Sequence, residues 1–470
     1  MNHRRRWAWS SVALATLILL GTLAAASSAP GRQLRHEIEQ RSPQEIIRYL
    51  KRRLQGHDKL EWLMLPGLHA WQRRVEREPP AGPLPRLGKG QSPHPLDATA
   101  KPPLETLRVT TASEAIEALL KAPPGSLIVL APGRYAFDKE LRLGHDGRAT
   151  APIVVKALIP GSVQLEFRQV EGILVDRPHW TFENLDIRGA CKRHHDCEHA
   201  FHVVGRGSST VLRNNTIQDF NAHIKINGAS GEWPDHGLVA FNTLTNTAPR
   251  QTDRPVVAID LVGANHWRVL DNVISDLVKA SGNQVSYGLF MKGASEGGRI
   301  ERNLVVCTST NISAPGVRVG ISFGGGGTDP GACRTDQCQQ YEHRNGLAAN
   351  NVVAHCNDVG MDVNRSNRIV LAYNTLINTA GFVVRRPPSD ARLIANLYEG
   401  RTLARDGARL SEEMHARMNA SKTFVHPDGL QMENLKPPEL IPSWRFVTND
   451  FSGQTRGPLT MAGAIASPRP

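Results

Sequence analysis

Seven charged side chains in the second half of the chain recur at comparable places in a repeated pattern: Lys225, Asp260, Lys292, Arg318, Asp358, Asp362 and Arg385. They lie in or beside the short segments FHVVG (201–205), IKING (224–228), IDLVG (259–263), LFMKG (289–293), ISFGG (321–325), MDVNR (361–365) and FVVRR (382–386). Read as strands, these segments bury their first and third residues and turn the second and fourth outward. The second position then carries His202, Lys225, Asp260, Phe290, Ser322, Asp362 and Val383, and the fourth carries Val204, Asn227, Val262, Lys292, Gly324, Asn364 and Arg385. The residue before each segment is mostly small (Ala200, His223, Ala258, Gly288, Gly320, Gly360, Gly381), and such a stack is expected to leave a trough beside the charges. An amine crowded by other cations gives up its proton more readily and can act as a base, while an arginine stays charged and stabilises an anion. Lys292, with Lys225 and Arg318 nearby, meets that requirement for removing a proton next to a carboxylate, as in elimination from a uronate.

Flanking residues extend the candidate site. Asp260, Asn364 and Arg385 on the strands, with His223, Trp233 (in GEWPDHG, 231–237) and Tyr287, are the expected substrate contacts. Glycosidic hydrolysis would instead need two carboxylates, about 5.5 Å or 6.5–9.5 Å apart according to stereochemistry. Asp260 and Asp362 share one column, two coils apart, and suit an inverting pair. C5 epimerisation in the same groove and glycan binding without catalysis are the other readings. Asp358 and Asp362, with Asn364, could offer oxygen ligands to Ca²⁺. His194 and His195 within CKRHHDC suggest zinc, but adjacent histidines between disulfide cysteines make poor ligand geometry. The run Gly324–Gly327 could admit a ligand backbone or hinge a lid; no Lys-Ser/Thr follows, so it is not a phosphate loop.

These residues need a scaffold that repeats. Asn followed by an aliphatic run recurs at Asn184, Asn215, Asn242, Asn272, Asn303, Asn351, Asn374 and Asn396, with steps of 31, 27, 30, 31, 48, 23 and 22 residues. Steps near the shortest equal one bare coil of a parallel β-helix, and longer ones need loops; the longest accommodates an insertion carrying Cys333 and Cys338. Asparagine suits a tight corner because it tolerates a left-handed backbone and hydrogen-bonds locally, and stacked coils would set the amides in a ladder. The expected fold is all-β, a right-handed parallel β-helix with a short N-terminal helical region.

Upstream, Arg4–Arg6 and an uncharged stretch from Trp7 to Ala26 read as a signal peptide or N-terminal anchor over residues 1–26. A helical region over 27–78 follows, with an N-cap at Ser42-Pro43-Gln44-Glu45 and a second helix around Glu61–Arg77 carrying Trp62, Leu65, Leu68 and Trp71. Residues 79–104 hold eight prolines and read as a linker. The β-helix is expected over 105–400, opened by a short helix capped by Thr111 with Ile116, Leu119 and Leu120 on its apolar face. Residues 401–470 close or pack on the solenoid. Six cysteines in an exported chain favour disulfides, and nearness pairs Cys191 with Cys197 and Cys333 with Cys338, leaving Cys307 and Cys356, although other connectivities remain open.

The formal charge of +12 is concentrated early: the three leading arginines and a surplus of four cations over residues 32–78 leave about five for the rest. It therefore indicates membrane proximity of the N-terminal segment more than a polyanion partner, and no nucleic-acid partner is expected. Disorder and collagen are excluded by composition.

The entry segment VTTASEAIEALLKAPPGSLIVLAPGRYAF (109–137), GRATAPIVVKA (147–157), the asparagine repeats and the closing VTNDFSGQTRG…AGA (447–464) resemble the pectate-lyase-like β-helix superfamily, especially its chondroitinase B and alginate lyase family. The resemblance implies a lysine base on an outward strand, an assisting arginine and often calcium at the uronate. Lys292 in YGLFMKGAS resembles the lysine strand, and Arg318 is only an approximate counterpart of the arginine. The acidic residues expected before that lysine are Val285 and Tyr287 here, and the next coil has Gly324. The expectation is an exported monomer, periplasmic, secreted or anchored, acting on an acidic polysaccharide by β-elimination.

Overall fold

The computed structural model describes residues 50, 54, 57–75, 103–309, 316–325, 327–427 and 430–466. The expected leader, most of the first expected helix and nearly all of the expected linker lie outside the described residues. Residues 1–77 and 78–470 form separate compact units. In the first, a helix spans Asp58–Val75 with Pro66 inside it, beginning three residues before the expected start. Its Leu68 is buried, whereas Trp62 is 75% exposed. Among the described residues, no helix is long and apolar enough to cross a membrane.

The second unit is a parallel β-helix. Three parallel sheets of twelve, eleven and nine strands run along it among the described residues, and each sheet takes one strand per coil. One hydrophobic core fills the inside from Val109 to Tyr398. The helix Ala112–Lys121 covers the first coil, held by a capping box between Thr111 and Glu114. It turns Ala115, Ala118 and Leu119 onto the core; Ile116 and Leu120 of the expected apolar face are instead 40% and 44% exposed. The strands Arg401–Arg405 and Arg409–Glu413 add a further turn beyond residue 400. The chain then packs back along the coils: the buried Arg456 donates to Asn350 Oδ1 at 2.6 Å, and its guanidinium lies 3.8 Å from the centre of the Tyr373 ring. All three expected disulfides are present, and Cys307–Cys356 joins two successive coils inside the core.

The asparagine ladder is real, but its chemistry differs from the expectation. The left-handed residue at each corner is the one before the repeat asparagine: Asn214, Phe241, Asp271, Arg302, Asn350, Tyr373 and Ala395, with φ between 51° and 57°. The asparagine itself turns inward and is fully buried from Asn215 to Asn396. Its Nδ2 donates to the Oδ1 of the next asparagine, at 3.1, 3.0, 2.9, 3.0, 3.0 and 2.9 Å along the series 215, 242, 272, 303, 351, 374 and 396. That same Oδ1 also accepts the backbone N–H of the preceding asparagine, as from Asn272 to Asn303 at 3.0 Å. Asn184 is one residue out of step. It occupies the left-handed position, and Leu185 stands in the ladder, donating its N–H to Asn215 Oδ1 at 3.0 Å.

Replacing Asn303 with Ala would strip the acceptor from the Asn272 N–H and the donor from the Val269 carbonyl, both buried. At about 1–3 kcal/mol per unsatisfied buried group, denaturant unfolding should show a loss of roughly 3 kcal/mol. A loss below about 0.5 kcal/mol, the range of an ordinary surface substitution, would show that the ladder does not hold the coils together.

Candidate active site on the outer face of the third sheet

The third sheet has the register expected from the segment alignment. Lys225 pairs with His202 and with Asp260, Asp260 with Phe290, Phe290 with Ser322, Ser322 with Asp362, and Asp362 with Val383. The strands carry one feature that strict alternation does not foresee. Val256, Ala258, Ile259 and Leu261 all face the interior core, while Val257 and Val262 belong to an outer cluster with Tyr287 and Phe290. Two adjacent residues thus turn inward, and the in–out phase reverses at the position before each segment.

This reversal relocates several expected residues. The small-residue column lines the interior, not a trough: a side chain at Gly288 would run into Val305, and one at Gly320 into Val353. His223 in the same column is fully buried, its Nε2 2.9 Å from the Thr245 carbonyl, and burial holds its pKa down to about 4. Arg318, three residues before its segment, is 1% exposed. Through Ser286 it stands in the register column of Val256, which faces the interior core. Tyr287 gains what Arg318 loses: it faces out, edge-on to Phe290 with ring centres 5.4 Å apart.

Two polar groups occupy the outer face. In the first, Lys225 Nζ meets Asp260 Oδ2 at 2.9 Å. Lys292 lies two coils beyond Lys225, its Nζ 4.4 Å from the centre of the Phe290 ring. No carboxylate pairs with its ammonium among the described residues. Burial pushes the Lys292 pKa below its usual 10.5, opposed by Asp260, assisted by Lys225 and opposed again by Glu342. The insertion after Phe323 closes this end: Glu342 accepts the N–H of Gly293 at 3.0 Å and the Thr328 hydroxyl at 2.9 Å, and Gly325 lies against the Lys292 side chain.

In the second group, Arg385 grips Asp362 through both oxygens, at 3.0 and 2.8 Å. Burial pushes Asp362 up while the Arg385 guanidinium pulls it down. Tyr287 has its phenol raised, first by burial and then by Asp362. Asn364 is wholly buried in the neighbouring column.

The hydrolytic pair does not form. Phe290 and Ser322 both intervene between Asp260 and Asp362, so three coil steps separate them rather than two. At about 4.8 Å per step that is roughly 14 Å, well beyond an inverting pair. Calcium fits no better at Asp358 and Asp362: Arg385 takes both Asp362 oxygens, and no group of three or more His, Cys, Asp or Glu side chains suited to a metal occurs among the described residues. His194 accepts the Gln251 N–H at 3.0 Å, and His195 meets Asp253 at 2.9 Å, so neither is poised for zinc. Trp233 is a packing anchor. Its indole lies against Gly228 and Gly263, where any side chain would collide with it, and the Arg334 guanidinium stands 5.1 Å from its ring centre. Arg334, from the insertion, also forms two bonds to Asp235, at 2.7 and 3.0 Å.

One functional candidate, His202, stood in the Lys225 column without being singled out. Its Nδ1 lies 2.9 Å from Glu171 Oε2 and its Nε2 2.8 Å from Asn227 Oδ1. Its signal was its column: a histidine one coil from a lysine on an outward face.

A stacked, all-parallel architecture has known counterparts. A solved pectate lyase superposes with a TM-score of 0.53 at 14% identity, covering 78% of this chain and 90% of that one. The chain has the pectate-lyase-like fold. A rhamnogalacturonan lyase follows at TM-score 0.45 and 11% identity, covering 77% and 96% of the two chains. A PL6 family polysaccharide lyase from Pseudopedobacter saltans gives 0.37 at 12% identity, covering 71% and 96%. No family model and no curated protein matches the sequence.

On this pectate-lyase-like scaffold, burial would by itself lower the His202 pKa, but the Glu171 hydrogen bond and charge raise it above 6.5. Glu171 is correspondingly lowered, chiefly by His202. A folded-state histidine raised above its unfolded value stabilises at lower pH, and that contribution is lost as the pH climbs through the folded pKa. In an NMR titration, His202 should therefore titrate above 6.5 in the wild type and lower in Glu171→Gln. The stability gap between the two proteins should narrow as the pH passes that titration. An unchanged His202 midpoint would show that the pair is not formed.

Proposed function

We propose that this protein is a polysaccharide lyase that cleaves an acidic, uronate-containing glycan by β-elimination along the outer face of the third sheet, with Lys292 as base. The observation that carries this reading is the state of Lys292: an amine half-buried against Phe290, with its pKa lowered by burial, next to the Lys225–Asp260 pair. Coils about 4.8 Å apart suit an extended polymer, whose successive sugars meet successive side chains.

In the proposed step the neutral Lys292 amine removes the C5 proton. Those electrons form the C4–C5 double bond, the C4–O4 bond breaks, and the new ammonium returns the proton to the leaving oxygen. Lys225 stabilises the negative charge that builds on the uronate carboxylate. Tyr287, Asp260 and Arg385 border the path of the chain. The three disulfides support residence in an oxidising compartment, consistent with export.

Purified protein incubated with a panel of uronate polymers should raise the ultraviolet absorbance of the unsaturated product. Lys292→Ala should lose at least about 100-fold in rate, the usual scale of a general base. The charges around Lys292 give two opposite signs. Lys225→Gln removes a like charge and should move the rising limb of the pH–rate profile to higher pH; Asp260→Asn removes an opposite charge and should move it lower. New reducing ends without absorbance would indicate hydrolysis, and retained binding with neither signal would indicate a glycan-binding protein. Full activity in Lys292→Ala would remove the mechanism.

A further inference from the structure

A separate polar cavity of about 400 Å³ opens on the outer side of the second sheet, where its strands turn toward the third. The CKRHHDC loop, closed by Cys191–Cys197, forms one wall, and Thr247 to Arg250 form another. Three guanidiniums line the cavity, Arg134, Arg188 and Arg250, against two carboxylates, Glu166 and Asp219. Arg134 is paired with Glu166, and Arg188 lies 3.5 Å from Asp219. The second oxygen of Asp219 is occupied by the Thr247 N–H at 2.8 Å and the Thr247 hydroxyl at 2.7 Å.

Arg250 is left without a carboxylate of its own among the described residues. It is 3% exposed, and its hydrogen bonds run to neutral acceptors: Nε to Asn221 Oδ1 at 3.0 Å and Nη2 to the His194 carbonyl at 3.1 Å. Burial pushes its pKa down to about 10, with Asp219 the single charge that opposes the shift, so it is still a cation at neutral pH. His194 adds no charge, because burial and Arg250 both lower its pKa. A buried guanidinium bonded to neutral groups, facing a cavity with one cation in excess, is stabilised by an anion entering that cavity.

We infer that this cavity binds one sugar acid, its carboxylate held by Arg250 and Arg188. The volume lies at the small end of ligand pockets, enough for a monosaccharide but too little for a polymer segment. The site lies on a different sheet from Lys292, and the inference does not depend on the elimination reading.

Calorimetric titration of the full chain with sodium glucuronate, glucose and sodium sulfate tests it. Glucuronate should bind and glucose should not, and Arg188→Ala should weaken glucuronate by about tenfold, the scale of one charge-assisted bond. Arg250→Gln should weaken it at least as much. Because that buried variant can disturb folding, its circular dichroism melt is recorded, and the surface variant Arg188→Ala decides. Absence of glucuronate binding, equal binding of glucose, binding of sulfate alone, or a loss in Lys292→Ala without a loss in Arg188→Ala would each overturn the proposal.

Discussion

The buried amide-to-amide hydrogen bond between successive asparagines is the interaction on which the rest of the solenoid depends. Each coil must turn a sharp corner from the first sheet to the second, and it does so with a non-glycine residue in the left-handed region, at a cost of roughly 1–2 kcal/mol each. Residues such as Phe241, Arg302 and Tyr373 have no preference for that conformation. They adopt it because the next residue is pinned from both sides, its Oδ1 accepting from one neighbouring coil while its N–H and Nδ2 donate to the other. The ladder also aligns coils of very different length. Between Asn303 and Asn351 the chain is longer by the whole disulfide-bearing insertion, yet the amides meet at 3.0 Å.

A scaffold indexed in this way places side chains from distant sequence in straight columns, and the electrostatics follow from the columns. Lys225 and Asp260 meet because they are register partners, and Asp362 and Arg385 because they lie on adjacent coils. Each of these buried carboxylates has found a cation. Lys292 stands one column over, against an aromatic ring, and forms no ion pair with a carboxylate among the described residues. The contrast between paired and unpaired cations on one face distinguishes it from Lys225 and Arg385, which are alike in type and outward placement.

Much of this was legible in the residues. Period-two alternation and the repeated asparagine defined the coils and the register of the third sheet, because burying one face penalises a one-residue slip by exposing every core side chain. The phase reversal was not legible. It is a bend within a strand, in which Ala258 and Ile259 both turn inward, and composition offers little beyond the small residues at that position. Those same residues, expected to floor a surface trough, are small because the second sheet's side chains fill the space above them. This single bend turns Arg318 and His223 inward and Tyr287 outward. The left-handed residue was likewise assigned to the asparagine, whose own conformational tolerance masked the more demanding position before it.

A solenoid whose coils touch only their neighbours can be lengthened or shortened a unit at a time. Arg334 denies this chain that freedom. It reaches back across 99 residues to Asp235 and lies over Trp233, so the coils between them are spanned by a strut of fixed length. Adding or deleting one coil in that interval would part the strut from its anchor. The outer face holding Lys225, Asp260 and Lys292 therefore has a set number of rungs, and this stretch is built as a ruler where its architecture alone would permit an open-ended stack.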